Sequence, residues 1–433
     1  MKIAIAGYGI EGQANYAYWS KDPSHEMTIV DEAEHPKFDV PEGATTILGA
    51  DAFSKLQGFD LVIRTAGLAR RKITTDGKIW TATNEFFAHC PAPIIGVTGT
   101  KGKGTTTSLI ASICEAAGKK VWLVGNIGTA ALDILDQIQP DDVVAFELSS
   151  FQLWDLERSP QVAVVLLIEP DHLNVHDDME DYVRAKGAIR RYQTDGDVCV
   201  YHPTNSYSYD IAHGSDQGNI MRYAIPDDGG VYVKDNAFWS GEQYICSVDA
   251  LQLIGEHNRE NACAAITAAL SYGIEVSAIE AGLRQFQGLP HRTEFVRSLG
   301  GVDYYNDSFS SAPAATVAAI RSFTQPEILI LGGIDKGGDF SELAVAINER
   351  DNIKELILIG EIRHKLRDEL ASKGVTAHMT IFDGRTMPEI VDHARGSATE
   401  GDVIVLSPAC ASFDMFKDFY DRGDQFRAYV NSL

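Results

Sequence analysis

The chain runs to 433 residues, of which 45% are hydrophobic and 23% charged; that balance fits a globular protein of roughly two to four domains rather than a disordered or fibrous one. With 61 acidic against 37 basic residues the formal net charge is −24, which argues against a nucleic-acid partner, because neutralising phosphates needs a basic face. No apolar run approaches the roughly 18 residues of a spanning helix, so neither a transmembrane segment nor a membrane partner is expected.

The N-terminus, MKIAIAGYG, enters a strand directly, without the design of a signal peptide. Six scattered cysteines form no CxxC pair, so neither a zinc site nor a disulfide framework is expected, and the expected compartment is the cytoplasm. Lys2–Ala6 reads as the first strand. Gly7-Tyr8-Gly9-Ile10-Glu11-Gly12 is a GxGxxG opening a helix to about Trp19. Met27–Val30 is the next strand, with Asp31 at its carboxyl end. Alone, this is a dinucleotide fingerprint, although the same turn places any pyrophosphate on a helix N-terminus. Asp60–Arg64 reads as a further strand, followed by Thr65-Ala66-Gly67, and Pro91-Ala92-Pro93 makes a stiff linker that closes a first domain at 1–90.

The second domain, 91–287, opens on a short β-branched strand from Ile94 to Val97. Gly99-Thr100-Lys101-Gly102-Lys103-Gly104-Thr105-Thr106 follows, and then apolar residues at helical spacing, Leu109, Ile110, Ile113 and Cys114. Strand, glycine turn, lysine, hydroxyls and helix is the order that cradles a nucleotide triphosphate. Lys103 would reach the β/γ-phosphates and a threonine hydroxyl the magnesium ion. The loop departs from the general pattern at Gly104, where a Ser or Thr is expected; Thr105 or a water would take that place. Lys120–Val124 is a strand ending at Gly125-Asn126-Ile127-Gly128. Asp142–Phe146 delivers Glu147 to a strand end, and Gln161–Ile168 leads to Glu169-Pro170-Asp171-His172. Glu147 suits a magnesium ligand, since Mg²⁺ takes carboxylate, phosphate and water oxygens. Helix Met179–Arg191 carries Lys186, whose ammonium could ligate a metal only after carbamylation. From about Ile220 to Leu253 short alternating segments read as antiparallel hairpins. Helices Asn258–Tyr272 and Val276–Phe286 close the domain. The third, 288–433, alternates strands at Thr293–Val296, Val302–Tyr305, Glu327–Leu331, Glu355–Ile359 and Asp402–Leu406 with helices. Ser412 is expected at the start of a C-terminal helix with Phe419 two turns along the same face.

Nine blocks run in one order through the whole chain: GTKGKGTTT, GNIG, ELSSFQL, DHLNVH with YVRAK, GEHNRENACAAITAA, GLPHRTEFV, YYNDS, GGIDKGGDF and SPACASFDMFKDFYDRGDQF. Together they resemble the Mur ligase family. The resemblance implies three α/β domains: an N-terminal Rossmann-like domain for a UDP-sugar, a central P-loop domain with a mostly parallel sheet and a small antiparallel one, and a C-terminal Rossmann-like domain for an amino acid. The final block and the length are most similar to members that add D-glutamate to UDP-N-acetylmuramoyl-L-alanine, through an acyl phosphate and with release of ADP. Carried over by position, Gly9, Ile10, Glu11, Gly12, Asp31 and Gly67 hold the uridine diphosphate, and Asn126 lies near that substrate. Residues Gly99, Thr100, Lys101, Gly102, Lys103, Gly104, Thr105 and Thr106 hold ATP, with Asn258, Asn261, Arg292 and Asp307. Glu147 binds the first magnesium, and His172 with a carbamylated Lys186 the second; Thr105, or a water, would complete the first shell in place of the missing Gly104 hydroxyl. Lys103, Glu147, His172 and Lys186 form the catalytic set. Lys336, Ser412 and Phe419 hold D-glutamate, with Ser311 a further hydroxyl contact. Phe309 stands where these ligases commonly have a lysine. A monomer is expected. The competing readings are a sister ligase with another acceptor, a catalytically weakened nucleotide-binding homologue, and an NAD-dependent oxidoreductase resting on GxGxxG alone.

Overall fold

The computed structural model describes residues 1–126, 129–226 and 229–433. The GNIG block is therefore described only as far as Asn126; Ile127 and Gly128 lie outside the described residues. The chain divides into two compact units, Met1–Leu251 with Arg259–Phe286, and Gln252–Asn258 with Gln287–Leu433.

The first unit contains two parallel sheets. Strands β1 (Lys2–Ala6), β2 (Glu26–Asp31), β3 (Thr45–Leu48), β4 (Leu61–Arg64) and β5 (Lys78–Trp80) pair in the order β3-β2-β1-β4-β5. Ile3–Ala6 are all fully buried, because side chains cover both faces: Phe53 and Leu56 lie against Ala4 and Ala6, and Tyr16 and Trp19 against Ile3 and Ile5. The helix Ile10–Trp19 packs so close that a Cβ on Gly12 would sit 2.1 Å from the Gly7 carbonyl oxygen. The strand order reverses between β1 and β4, so the loops after them flank the crevice where such sheets bind ligands.

The second sheet takes β6 (Ile94–Thr98), β7 (Val121–Gly125), β8 (Val143–Glu147), β9 (Val162–Val165), β10 (Val198–Tyr201) and β11 (Asn219–Arg222), in the order β11-β10-β9-β6-β8-β7. Every residue of β6 and β8 is buried. β6 lies between β8 and β9, which places its glycine loop beside Glu147. The expected run of hairpins from Ile220 is corrected at its start: β11 pairs parallel with β10. Only β12 (Val231–Lys234), β13 (Ala237–Ser240) and β14 (Gln243–Ser247) form an antiparallel ribbon. Asp235 and Asn236 turn its first hairpin at φ 50 and 55, the conformation that a two-residue turn demands.

In the second unit β15 (Glu294–Leu299), β16 (Val302–Asn306), β17 (Glu327–Gly332), β18 (Ile353–Ile359), β19 (Met379–Ile381) and β20 (Val403–Leu406) form one sheet, order β15-β16-β20-β17-β18-β19. Only the β15–β16 pair is antiparallel. Leu329, Leu331, Leu356 and Leu358 face one core, and Ile328, Ile330, Ile357 and Ile404 the other. Glu327, the first residue of β17, is fully buried, and among the described residues neither carboxyl oxygen has a hydrogen-bond partner; burial pushes its pKa up to about 8. The last helix corrects another expectation. It runs from Phe419 to Ser432, capped by Asp418, whose side chain accepts the Asp421 amide. Ser412 lies in the loop before it and does not share a helix face with Phe419.

Candidate active site

The loop after β6 is built on left-handed glycine. Gly102 caps the helix Lys103–Ala116 at φ 82, and a Cβ there would lie 2.4 Å from Asn261 Oδ1. Lys103 folds back, its Nζ donating to the carbonyls of Gly99 at 3.1 Å and Thr100 at 3.0 Å. Lys101 is exposed and paired with Glu169 at 3.4 Å. The Thr100 hydroxyl contacts the Glu169 carbonyl at 3.0 Å and the Tyr182 hydroxyl at 3.1 Å. Thr106 Oγ1 donates to Asn261 Oδ1 at 3.4 Å, and Thr107 Oγ1 to the Lys103 carbonyl at 2.8 Å. Thr105 is half-buried and spends its hydroxyl on no such bond among the described residues, whereas Gly104 is buried in the helix's first turn.

Lys186 comes to the same carbonyl from the other side. It is 1% exposed, donates to Gly99 O at 2.8 Å and to Thr98 Oγ1 at 3.4 Å, and lies over the Tyr182 ring at 4.7 Å. Burial, then the nearby Lys103 charge, hold its pKa well below that of an ordinary lysine, against the pull of Asp171 and Glu147. Glu147 is 7% exposed at the end of β8, with Asn126 Nδ2 at 3.4 Å. His172 has φ 55, sits 3.5 Å from Asp171, and packs against Phe151 at 4.9 Å and Tyr182 at 6.5 Å between ring centres. No three His, Cys, Asp or Glu side chains among the described residues converge as a ready metal cage. A hard divalent cation does fit the donors present. Among the described residues Glu147 is a buried carboxylate with one long hydrogen bond, beside a phosphate-type loop, and such a cation completes its shell with phosphate and water oxygens. Sequence reasoning missed His176, which lies in DHLNVH itself: it bonds Asp181 at 2.9 Å and Ser150 at 3.0 Å and is buried among Phe151, Trp154 and Tyr182.

Around the first sheet's crevice, Gly9, Ile10 and Gly67 are exposed. Asp31 is committed to the loop backbone, accepting the Tyr8 amide at 2.7 Å and the Ala33 amide at 2.9 Å. Glu11 accepts the Ala66 amide at 2.7 Å, which ties the glycine turn to the loop after β4.

In the second unit, Asp307 is buried at the end of β16 and bonded to Ser407 at 2.6 Å and the Thr293 amide at 2.9 Å; burial raises its pKa. Asn258 donates to the Ile254 carbonyl at 2.7 Å. The Arg292 guanidinium lies 3.8 Å over the Phe309 ring, which meets Phe419 edge-on at 5.1 Å. Phe419 is thus half-buried against Phe309, and Phe416 belongs to the core. Lys336 is exposed, its Nζ 5.2 Å over the Phe413 ring; Ser412 is buried. Arg422, buried and not anticipated, donates to Ser308 Oγ at 2.9 Å, Ser308 O at 2.8 Å, Cys410 O at 3.1 Å and Ser311 Oγ at 3.4 Å. It ties the loop after β16 to the one after β20.

A glycine loop with two lysines on one carbonyl, beside a strand-end carboxylate, marks a phosphoryl-handling α/β enzyme, and the chain belongs to the Mur ligase family. Residues 97–269 match the Mur ligase middle domain, and residues 291–410 match the Mur ligase glutamate ligase domain. Mur ligases are ATP-dependent, ADP-forming amide ligases that need magnesium. Over the whole chain it is 36% identical to the UDP-N-acetylmuramoylalanine–D-glutamate ligase of Clostridium kluyveri, covering 97% of that protein. It is 33% identical to the ligase of the same name from Clostridium tetani, again over all of this chain and 97% of the relative. Its fold is similar to that of MurF from Acinetobacter baumannii: TM-score 0.63, 16% identity, 99% of this chain and 93% of that one.

Proposed function

We propose that the chain joins D-glutamate to UDP-N-acetylmuramoyl-L-alanine in peptidoglycan synthesis, with ATP as the driving substrate. The observation that carries this reading is the convergence of Lys103 and Lys186 on the Gly99 carbonyl beside buried Glu147, in a chain that is similar to D-glutamate ligases from end to end. A carboxylate is a poor electrophile, so the muramoyl-alanine carboxylate must first attack the ATP γ-phosphate to give an acyl phosphate and ADP. Lys103 and the helix N-terminus at Gly102 offset the repulsion between the two anions. The neutral amine of D-glutamate then attacks the acyl carbon, the tetrahedral adduct collapses, and inorganic phosphate leaves.

Glu147 and Thr105 would hold one magnesium ion, and His172 with a carbamate on Lys186 a second. Bound there, the ion supplies charge that lowers the barrier between anionic reactants. Lys186 suits carbamylation because its buried, charge-repelled amine is held toward the neutral, nucleophilic form. Its nitrogen attacks carbon dioxide and releases a proton, leaving an anionic two-oxygen group.

The three-part division, 1–90, 91–287 and 288–433, is assigned to UDP-substrate, ATP and amino acid. Gly9, Ile10, Gly67 and Asn126 would meet the UDP-sugar. Gly99 to Thr106 would meet ATP, with Asn258, Asn261, Arg292 and Asp307 as further nucleotide contacts. Lys336, Ser412, Phe419 and Ser311 are assigned to D-glutamate, whose two carboxylates need a fixed cation and directed donors. Use of a UDP-linked sugar and ATP places the reaction in the cytoplasm, and a monomer suffices for it. The test is a product-mass assay with D-glutamate in competition with neutral and cationic amino acids. The D-glutamyl product should dominate; preference for another amino acid overturns the acceptor, and ATP hydrolysis without amide overturns the ligase.

A further inference from the structure

Arg64 closes β4, where Leu61-Val62-Ile63 are otherwise apolar, and it is 0% exposed. A buried guanidinium persists only if its donors are satisfied, and here they reach two separate stretches of the chain, 65–68 and 151–155. Nη1 donates to the carbonyls of Thr65 at 3.2 Å, Ala66 at 3.3 Å and Leu68 at 2.9 Å, drawing the loop after β4 around itself. Nη2 donates to the Phe151 carbonyl at 2.6 Å, and Nε pairs with Asp155 Oδ2 at 2.6 Å. The other oxygen of Asp155 takes the exposed Arg70 at 2.9 Å. On one side the loop is fastened to the glycine turn of the first sheet, since Glu11 holds the Ala66 amide. On the other, Phe151 sits in the one-turn helix Ser150–Leu153, three residues after Glu147 ends β8. Its ring lies against His172 and stacks on His176 at 5.4 Å with an 8° tilt, and the neighbouring Ser150 hydroxyl is held by His176.

We propose that Arg64 is a positioning residue that couples occupation of the uridine-diphosphate loops to the placement of residues 148–155, the stretch that follows Glu147 and packs against His172. The inference rests on the ligase reading and adds to it a route by which a seated UDP-sugar orders the phosphoryl-transfer side. Only a planar fork can serve carbonyls on two loops and a carboxylate at once; a lysine keeps the charge for Asp155 but cannot span them.

The test uses the full chain with UDP alone as probe. Calorimetry reports binding, and hydrogen exchange follows residues 148–155. In the wild type, saturating UDP should slow exchange there. In Arg64→Lys, UDP at saturation should no longer do so, and kcat should fall about tenfold while the KM for ATP stays within about threefold. Arg70→Gln, which leaves every carbonyl contact of Arg64 in place, should respond to UDP as the wild type does. If UDP does not bind the wild type, the UDP-site reading fails and the coupling with it. If UDP binds and exchange at 148–155 is unchanged, the coupling alone is overturned, whether or not any variant folds. An Arg64→Lys protein whose segment still responds, or whose kcat stays within about twofold, overturns it as well.

Discussion

The glycine loops after β1 and after β6 share one backbone plan: a buried strand, a tight turn, and a helix capped by glycine, Gly9 in one and Gly102 in the other. Their side chains differ in sign. The first loop is bordered by Asp31, which already occupies the Tyr8 amide, and by Glu11 in the first helical turn. The second has Lys103 within it and Lys186 beneath it, both on Gly99. Glycine pattern therefore sets how close a ligand can come, while the charges decide which ligand is worth admitting. An acidic rim discourages a bare triphosphate, whereas a dilysine rim favours one.

Removing the cation should break the comparison most completely. Lys103→Ala is expected to lower kcat by about a thousandfold or more while calorimetric affinity for UDP-N-acetylmuramoyl-L-alanine stays within about twofold; wild-type turnover in the variant would dismiss the P-loop assignment. Lys186→Ala should lose roughly a hundredfold, with partial recovery in acetate, which restores a carboxylate where the carbamate would stand. Full activity without rescue would remove the carbamate. The mirror experiment is Asp31→Asn, which should raise the KM for the UDP-sugar about tenfold through a loosened Tyr8 turn and leave the KM for ATP unmoved in the same assay. Thr105→Val is the finest probe. The magnesium concentration for half-maximal rate should rise about threefold; no change in a metal titration would hand that position to water.

The two loops were also the most legible parts of the sequence, because strand, turn and helix lie within about twenty residues and each signal is local. What escaped reading was non-local or imitated local order. Phe413, Phe416 and Phe419 repeat every three residues and imitate a helical face, yet Asp418 caps the helix only at Phe419; the Asp418 to Asp421 spacing was the signal available. β11 has the short alternation of a hairpin strand, but its partner is β10, about twenty residues earlier and parallel. Arg64 and Arg422 look like polar residues at the edge of an element. Their distant partners, Phe151 and Asp155 for Arg64 and Ser308 and Ser311 for Arg422, are brought to them only by the folded chain, so composition and spacing could not expose them.

The unpartnered carboxyl of Glu327 has a consequence in proton accounting. Its pKa is raised by burial from 4.5 to about 8, so over that interval the folded chain retains a proton that the unfolded chain releases. Stability from this retained proton is complete below about pH 4.5 and is lost as pH rises through about 8. Calorimetric melting of the second unit should therefore fall by several degrees between mildly acidic and alkaline buffer. Glu327→Gln should flatten that slope and leave turnover near neutrality unchanged. The difference between the wild type and Glu327→Gln in how the unfolding enthalpy changes with buffer ionisation heat would count this proton, and no difference at neutral pH would mean that Glu327 is ionised in the fold.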